Sequence, residues 1–575
     1  MIVANSVNLI TEYYFDQGDH LLEERKKSAS GNGYREIFYQ YDNLDRVTRK
    51  IVQRNTNAGI TVEDNSVFSY DSLLDSQNIA AATNGVDSLS FTHETAPPFA
   101  VSQYSVSATS SANPLGLLQG LFSINRDVTG AIASITSNGT TIFSRTFDQA
   151  GRMLGVTAGA IQTSISYDGF GRKVSVQNSD GNSGTFARDL LDRVTAVQWS
   201  GATPVSEYLQ YDLAGNITNL KRENGAYQIA YDSVDQLVSS TSSGTSSFVP
   251  YNLTLTYDNL GNHLNSSLAG NGNFVSNFLL SNGVCTYQAD PDGFGDTIRE
   301  TCGSVMKNYF YRSDDRMVGF QSGNTQVAYY LDPFGRRVAK VVNLGGTSFT
   351  QSYLHLAEEN RVLLAKGGDG SVTTYADGLG VDEHLAEVKG SAVKGYVTDH
   401  LGSILNGDAA GSSHAFGLFG ESTANLSLSQ TSSPVNYGYA GYELDVASSK
   451  YLNGPRAYNP NTGTWGTMDP IGLAGGKNVY SYVENNPLKY TDPSGLSFFP
   501  TETEKEAALL KKCKSLETQM CDACVLGATG NTCGNVSIKL EKCILELYKK
   551  YGVCLGEGKY PKLCTASKPP SPPSE

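Results

Sequence analysis

Long apolar runs are absent from this chain of 575 residues. Nothing in it approaches the roughly 18 to 20 consecutive apolar residues of a membrane-spanning helix. The opening Met1-Ile2-Val3-Ala4-Asn5 has no basic start, and Glu12 and Asp16 arrive before an apolar segment can form, so no signal peptide is read. Export would then use another route or an upstream piece. Clustered Lys and Arg are lacking as well: a formal charge of −14 speaks against a general nucleic-acid-binding surface in the body of the chain. Cysteine is scarce before residue 500, with Cys285 and Cys302 alone. Seven more crowd into the tail, at Cys513, Cys521, Cys524, Cys533, Cys543, Cys554 and Cys564. That compositional break marks a domain boundary.

Glycine (59) and tyrosine (33) are plentiful, with Ser, Thr and Asn, while charged residues are few. This mixture favours many short strands joined by turns over a helical or disordered chain. The length also exceeds what one compact core usually holds, so at least two structural units are expected.

One motif recurs: an aromatic residue and Asp, then Gly or Asp three residues on and a polar residue after it. It reads Phe147-Asp148-Gln149-Ala150-Gly151-Arg152, then Tyr167-Asp168-Gly169-Phe170-Gly171-Arg172. Further copies start at Tyr211-Asp212, Tyr231-Asp232 and Tyr257-Asp258, with weaker ones at Phe15-Asp16, Tyr41-Asp42, Tyr70-Asp71, Arg126-Asp127, Arg188-Asp189 and Leu331-Asp332. Between 126 and 231 they lie 20 to 23 residues apart. Asp followed shortly by Gly is turn chemistry, since the carboxylate caps local N–H groups and Gly supplies a positive φ. The flanks alternate, as in Leu253-Thr254-Leu255-Thr256-Tyr257, which is strand periodicity. A strand–turn–strand unit cannot bury its apolar face alone, so the units are expected to stack into a continuous β solenoid.

These residues resemble the YD repeats of the Rhs and teneurin families and of the C subunits of bacterial insecticidal toxin complexes. The resemblance covers roughly Phe15 to Gly335 and is weak near 75–120 and 265–330. It implies an all-β fold in which the repeats wind into a hollow shell around a polypeptide cargo.

Downstream the resemblance sharpens into the Rhs repeat-associated core. It is carried by Tyr396-Val397-Thr398-Asp399-His400-Leu401-Gly402-Ser403-Ile404, by Phe416–Glu421 and by Tyr437–Asp445. It continues through Tyr451-Leu452-Asn453-Gly454-Pro455-Arg456-Ala457-Tyr458-Asn459-Pro460 and Met468-Asp469-Pro470-Ile471-Gly472-Leu473-Ala474-Gly475-Gly476. The last element, Pro487-Leu488-Lys489-Tyr490-Thr491-Asp492-Pro493-Ser494-Gly495-Leu496, fits the family's boundary pattern, which marks self-cleavage after the Leu. Carried over, the scissile bond is Leu496–Ser497, the essential aspartates are Asp469 and Asp492, and the core arginine is Arg456. Ala457, Asn459 and Thr464 depart from common family residues, but none is one of the two aspartates.

Cleavage by two carboxyls needs them in opposite protonation states, because like charges held close cannot both ionise. One would activate water against the Leu496 carbonyl while the other polarises its oxygen. Arg456 is expected to fix one of them by a bidentate pair. The plainer alternative is that both Asp side chains simply cap their Asp-Pro turns. His400 reads as a satisfied turn histidine, Ser403 and Ser494 have no His nearby in a hydrolase arrangement, and an acyl shift at Ser497 lacks its accompanying motifs. No cofactor and no metal site is expected.

The tail changes to helical language, with helices expected from about 501 to 520 and from about 536 to 550. Its cysteines read first as disulfides stapling a small helical domain. Zinc through Cys521-x-x-Cys524 and cysteine catalysis remain as alternatives, both weakened by the absence of histidine in the tail. The expected organisation is a repeat shell over 1–340, the core over 341–496 and a variable cysteine-rich domain over 497–575. Three functions fit: a toxin carrier that frees its tail by autoproteolysis, a teneurin-like adhesion shell that stays uncut, and a truncated gene end. For the carrier the partners would be the enclosed tail, a delivery apparatus and an immunity protein. Such a carrier would be cytoplasmic before delivery.

Overall fold

The protein is described from a computed structural model. It describes residues 10–496 apart from segments at 28–32, 57, 72–77, 94–100, 109–116, 129, 203, 223–224, 244–251, 267–269, 292–293, 357–360, 407–415, 423–427 and 430–432, together with the short strands Ile2–Ala4 and Phe499–Pro500. The chain divides into a unit over Met1–Phe498 and a second over Phe499–Glu575. The two helices expected in the tail lie outside the described residues.

The repeat unit is built from its turn. In Ile161–Tyr167, residues Ile161, Thr163 and Ile165 are buried and their neighbours exposed, so the two-residue period sends one face inward. Asp168 then ends the strand. Its Oδ1 accepts from the backbone N–H groups of Phe170 (2.9 Å) and Arg172 (3.0 Å), and its Oδ2 accepts from Arg172 Nε (2.7 Å). Gly171 closes the turn at φ +81°, a conformation that a Cβ would strain. The same Asp-to-Arg pairing recurs at Asp148–Arg152, Asp189–Arg193 and Asp332–Arg336. Where Asp replaces the turn glycine, at Asp192 and Asp235, φ stays positive at 66° and 64°. That explains why the motif accepts either residue.

The tyrosine of each motif ties its unit to the one before. Tyr167 Oη donates to the Met153 carbonyl (2.8 Å), Tyr231 to Ile217 (3.0 Å) and Tyr257 to Leu237 (2.5 Å). The guanidinium of the preceding turn lies over the same ring, as Arg193 does over Tyr211 at 4.6 Å. Each unit therefore needs its neighbour.

Stacked this way, the strands among the described residues form a 23-stranded sheet from Ile2–Ala4 to His263–Ser266 and a 13-stranded sheet from Asn273–Val275 to Ala392–Gly395. The pairings that join chain neighbours are antiparallel. Within the second sheet Cys285 and Cys302 stand opposite each other and form a disulfide. A smaller four-stranded sheet follows, made of Glu443–Asp445, Lys450–Asn453, Arg456–Asn459 and Thr464–Trp465.

The buried face of the first sheet carries Ile161, Val197, Leu220 and Leu237. It shares one apolar core with Phe419, Tyr439, Tyr442, Tyr451, Tyr458 and Tyr482. Trp199 Nε1 donates to the Thr398 carbonyl at 2.9 Å, fixing the register of that packing. The small sheet is thereby held against the repeats by aromatic side chains.

Candidate active site

The strands Lys450–Asn453 and Arg456–Asn459 meet in a tight hairpin whose Gly454 lies at φ +52°. Arg456 leaves that hairpin inward and is buried, with its guanidinium 4.2 Å over the Trp465 ring. A buried guanidinium must be matched by acceptors, and three converge on it. Nη1 lies 3.1 Å from Asp469 Oδ2, Nη2 lies 2.9 Å from Asp492 Oδ2, and Nε donates to the Gly495 carbonyl. The expected bidentate grip on one carboxylate is not what forms. Arg456 gives one nitrogen to each aspartate, because the two Asp-Pro turns approach it from different sides.

Both aspartates also cap their own turns. Asp469 Oδ1 accepts from the Ile471 N–H (3.0 Å), and Asp492 Oδ1 accepts from the Leu496 N–H (3.1 Å). Ser494 Oγ donates to the same Asp492 oxygen at 3.1 Å. Nothing in the sequence distinguished this serine from others near glycine.

Burial pushes the Asp469 carboxyl up to about 6 against the opposing pull of Arg456 and the Ile471 N–H. Burial likewise presses Arg456 below the ordinary guanidinium value, against the attraction of Asp469 and Asp492. Gly475 shows what Asp469 faces. A Cβ there would lie 2.5 Å from Asp469 Oδ2 and 3.3 Å from the Leu496 carbonyl oxygen, so carboxylate and carbonyl border the same space. Only glycine leaves that space open. The sequence signal for it was no more than the Gly475-Gly476 pair.

The structure thus brings Arg456, Asp469, Asp492 and Leu496 together. Ser497 and the tail cysteines from Cys513 to Cys564 lie outside the described residues.

His400 belongs to a separate buried cluster. Its Nδ1 meets Glu207 Oε2 at 2.8 Å, and its Nε2 faces the Leu488 carbonyl at 3.2 Å. Burial disfavours its charge, but Glu207 outweighs that and raises its pKa. Glu207, Asp399 and His400 converge closely enough to share a cation. Arg222 already stands there, with Nη2 at 3.0 Å from Glu207 Oε1 and 3.6 Å from Asp399 Oδ2. The group reads as an ion network tying the repeats to residues 399–400.

No family model matches the chain. It is 24% identical over 387 residues to Double-stranded DNA deaminase toxin A of Burkholderia cenocepacia (strain H111), covering 61% of this chain and 25% of that protein. It is 26% identical over 424 residues to Probable deoxyribonuclease RhsA of Dickeya dadantii (strain 3937), covering 68% and 27%. A shorter stretch of 59 residues is 46% identical to Toxin subunit YenC2 of Yersinia entomophaga, covering 10% and 6%. The chain spans about a quarter of the length of the first two relatives. Among solved structures, TcdB2-TccC3-Cdc42 aligns with a TM-score of 0.57 at 15% identity, over 85% of this chain and 32% of that one. This likeness is one of fold.

Proposed function

The chain belongs to the Rhs/YD-repeat family, and from that premise we propose that it is the carrier part of a polymorphic toxin that cuts itself after Leu496. The observation that carries this reading is the shared guanidinium: Arg456 holds both aspartates while Asp469 borders the Leu496 carbonyl. Asp469, raised by burial and bordering the Leu496 carbonyl, is the acid that in its protonated form polarises that carbonyl oxygen. Asp492, which accepts from Arg456, Ser494 Oγ and the Leu496 N–H, is assigned as the ionised partner and takes a proton from the attacking water. The water oxygen bonds to the Leu496 carbonyl carbon, and the carbon–nitrogen bond to Ser497 breaks. The proton taken from water leaves with the Ser497 amine, so both acids return to their starting states.

In this reading the repeats form the wall of a shell that holds residues 497–575 until delivery. The partners are that tail, a delivery apparatus and an immunity protein. The toxin names of the relatives support a cargo with its own activity, of a kind this chain's carrier part does not define.

A second reading has one observation in its favour. Both aspartates cap their own turns, as residues of an uncut, purely structural shell would. Denaturing gels of wild type, Asp469→Asn and Asp492→Asn separate the two. Two fragments from wild type and one full-length band from each variant support cleavage, since an amide at 492 cannot take the proton of the attacking water and an amide at 469 is too weak an acid to polarise the carbonyl as a carboxylic acid does. An uncut wild type supports the structural shell.

A further inference from the structure

The turn Asp492–Gly495 is gripped more widely than its carboxylate alone requires. Tyr442 Oη accepts from the Asp492 backbone N–H at 2.7 Å, and the Tyr482 hydroxyl lies 3.0 Å behind it. From the other side, Asn453 Nδ2 donates to the Asp492 backbone carbonyl. Asn453 opens the same hairpin that ends in Arg456, whose Nε holds the Gly495 carbonyl. The two turns are pressed together through glycine. A Cβ on Gly454 would collide with the Ser494 carbonyl oxygen, and one on Gly495 with the Asn453 carbonyl oxygen. Gly495 also needs its φ of +65°.

Both main-chain groups of Asp492 are therefore held by hydrogen bonds with side chains other than Asp469 and Arg456. Tyr442, Tyr482 and Asn453 are all buried. A hydroxyl and an amide placed there do no more for core packing than apolar residues of the same shape would. What they add is direction: each fixes one peptide group of the turn that ends at Leu496.

We infer that Tyr442 and Asn453 are positioning residues for the proposed cleavage, clamping the main chain at Asp492 so that the Leu496 carbonyl stays in register with Asp469. The inference rests on the self-cleavage reading. It assigns them no part in proton transfer, and that is what makes it testable.

The full chain is made by cell-free synthesis, and the cut fraction is followed with time from pH 5 to pH 8 after quenching in denaturant. Tyr442→Phe removes the acceptor, and Asn453→Leu removes the donor while keeping the number and branching of heavy side-chain atoms. Each is expected to slow cleavage by roughly ten- to a hundredfold, the usual effect of small misplacement. The slowing should be equal at every pH, with the midpoint of the pH profile unmoved and the thermal midpoint of the body close to wild type. Wild-type rates in both variants, with Asp469→Asn and Asp492→Asn uncut, would overturn the inference and leave the cleavage reading standing. A displaced pH midpoint would overturn it too, because the hydroxyl would then share in proton transfer. Cleavage in the two aspartate variants would instead remove the reading on which it rests. If Tyr442→Phe fails to fold, Asn453→Leu decides alone.

Discussion

Arg456 offers three nitrogens to three different acceptors, and that division sets what either aspartate can do. A lysine keeps the charge but presents a single ammonium that cannot reach all three. Arg456→Lys should therefore slow self-cleavage by roughly a hundredfold, read as the cut fraction on denaturing gels. A wild-type rate would show that charge alone suffices. The proton on Asp469 gives a second expectation. Its carboxyl is raised to about 6, so the protonated form is depleted as pH rises beyond that value. Cleavage should be faster at pH 5.5 than at pH 8, and a rate that climbs with pH would contradict the assigned role. Asp469, Asp492 and Arg456 were legible in the sequence because the resemblance marks their motifs. Their sharing of one guanidinium was not, since no spacing shows that two turns 23 residues apart approach one side chain from different directions.

The repeat element is held by local chemistry, which is why so much of it could be read in advance. Asp168 satisfies its own turn within four residues, and Tyr167 reaches only to the preceding unit. A period near 20 residues carries all of that information. The turn glycine is the sensitive position. At Gly215, φ is +81° and the nearest atoms to an added Cβ belong to the flexible Lys489. Gly215→Ala should then cost about 1–2 kcal/mol through backbone strain alone, measured as a lowered urea midpoint. Gly215→Asp should cost less, because Asp192 and Asp235 already hold this conformation. Equal losses for both would argue against the turn account. The disulfide between Cys285 and Cys302 has no sequence signature, because the intervening turn belongs to the weakest part of the repeat. Only strand register places the two opposite each other.

Across the whole molecule, distant segments meet through buried charge. Arg35 reaches Asp290 (2.6 Å) and Asp315 (3.0 Å) and also binds Asp296, joining the first sheet to residues more than 250 positions away. Such pairings depend on how the sheets pack and leave no local pattern to read. They carry a pH signature. Burial is the first cause raising Asp87, Asp296 and Glu421, each to about 7. An acid raised in the folded state favours folding below its unfolded value, near pH 4. That contribution is lost as pH climbs through the folded value near 7. His400, also raised, acts with the same sign. Glu207 and Glu383, each lowered to about 2, contribute oppositely below about pH 4.5. His355 and His263, both lowered by desolvation, oppose the raised acids up to about pH 6.5, but over a narrower span than the three acids raised to about 7. The body should therefore resist urea better at pH 5.5 than at pH 8. A midpoint that rises toward pH 8 would contradict this ledger of buried acids.

The central claim, that the chain severs itself after Leu496, is tested most directly by intact mass of the purified full chain in denaturant. The account predicts two masses, one for residues 1–496 and one for residues 497–575 with Ser497 as its first residue. Both should merge into a single full-length mass in Asp469→Asn and in Asp492→Asn. A single full-length mass from wild type, or a fragment beginning anywhere but Ser497, would contradict it.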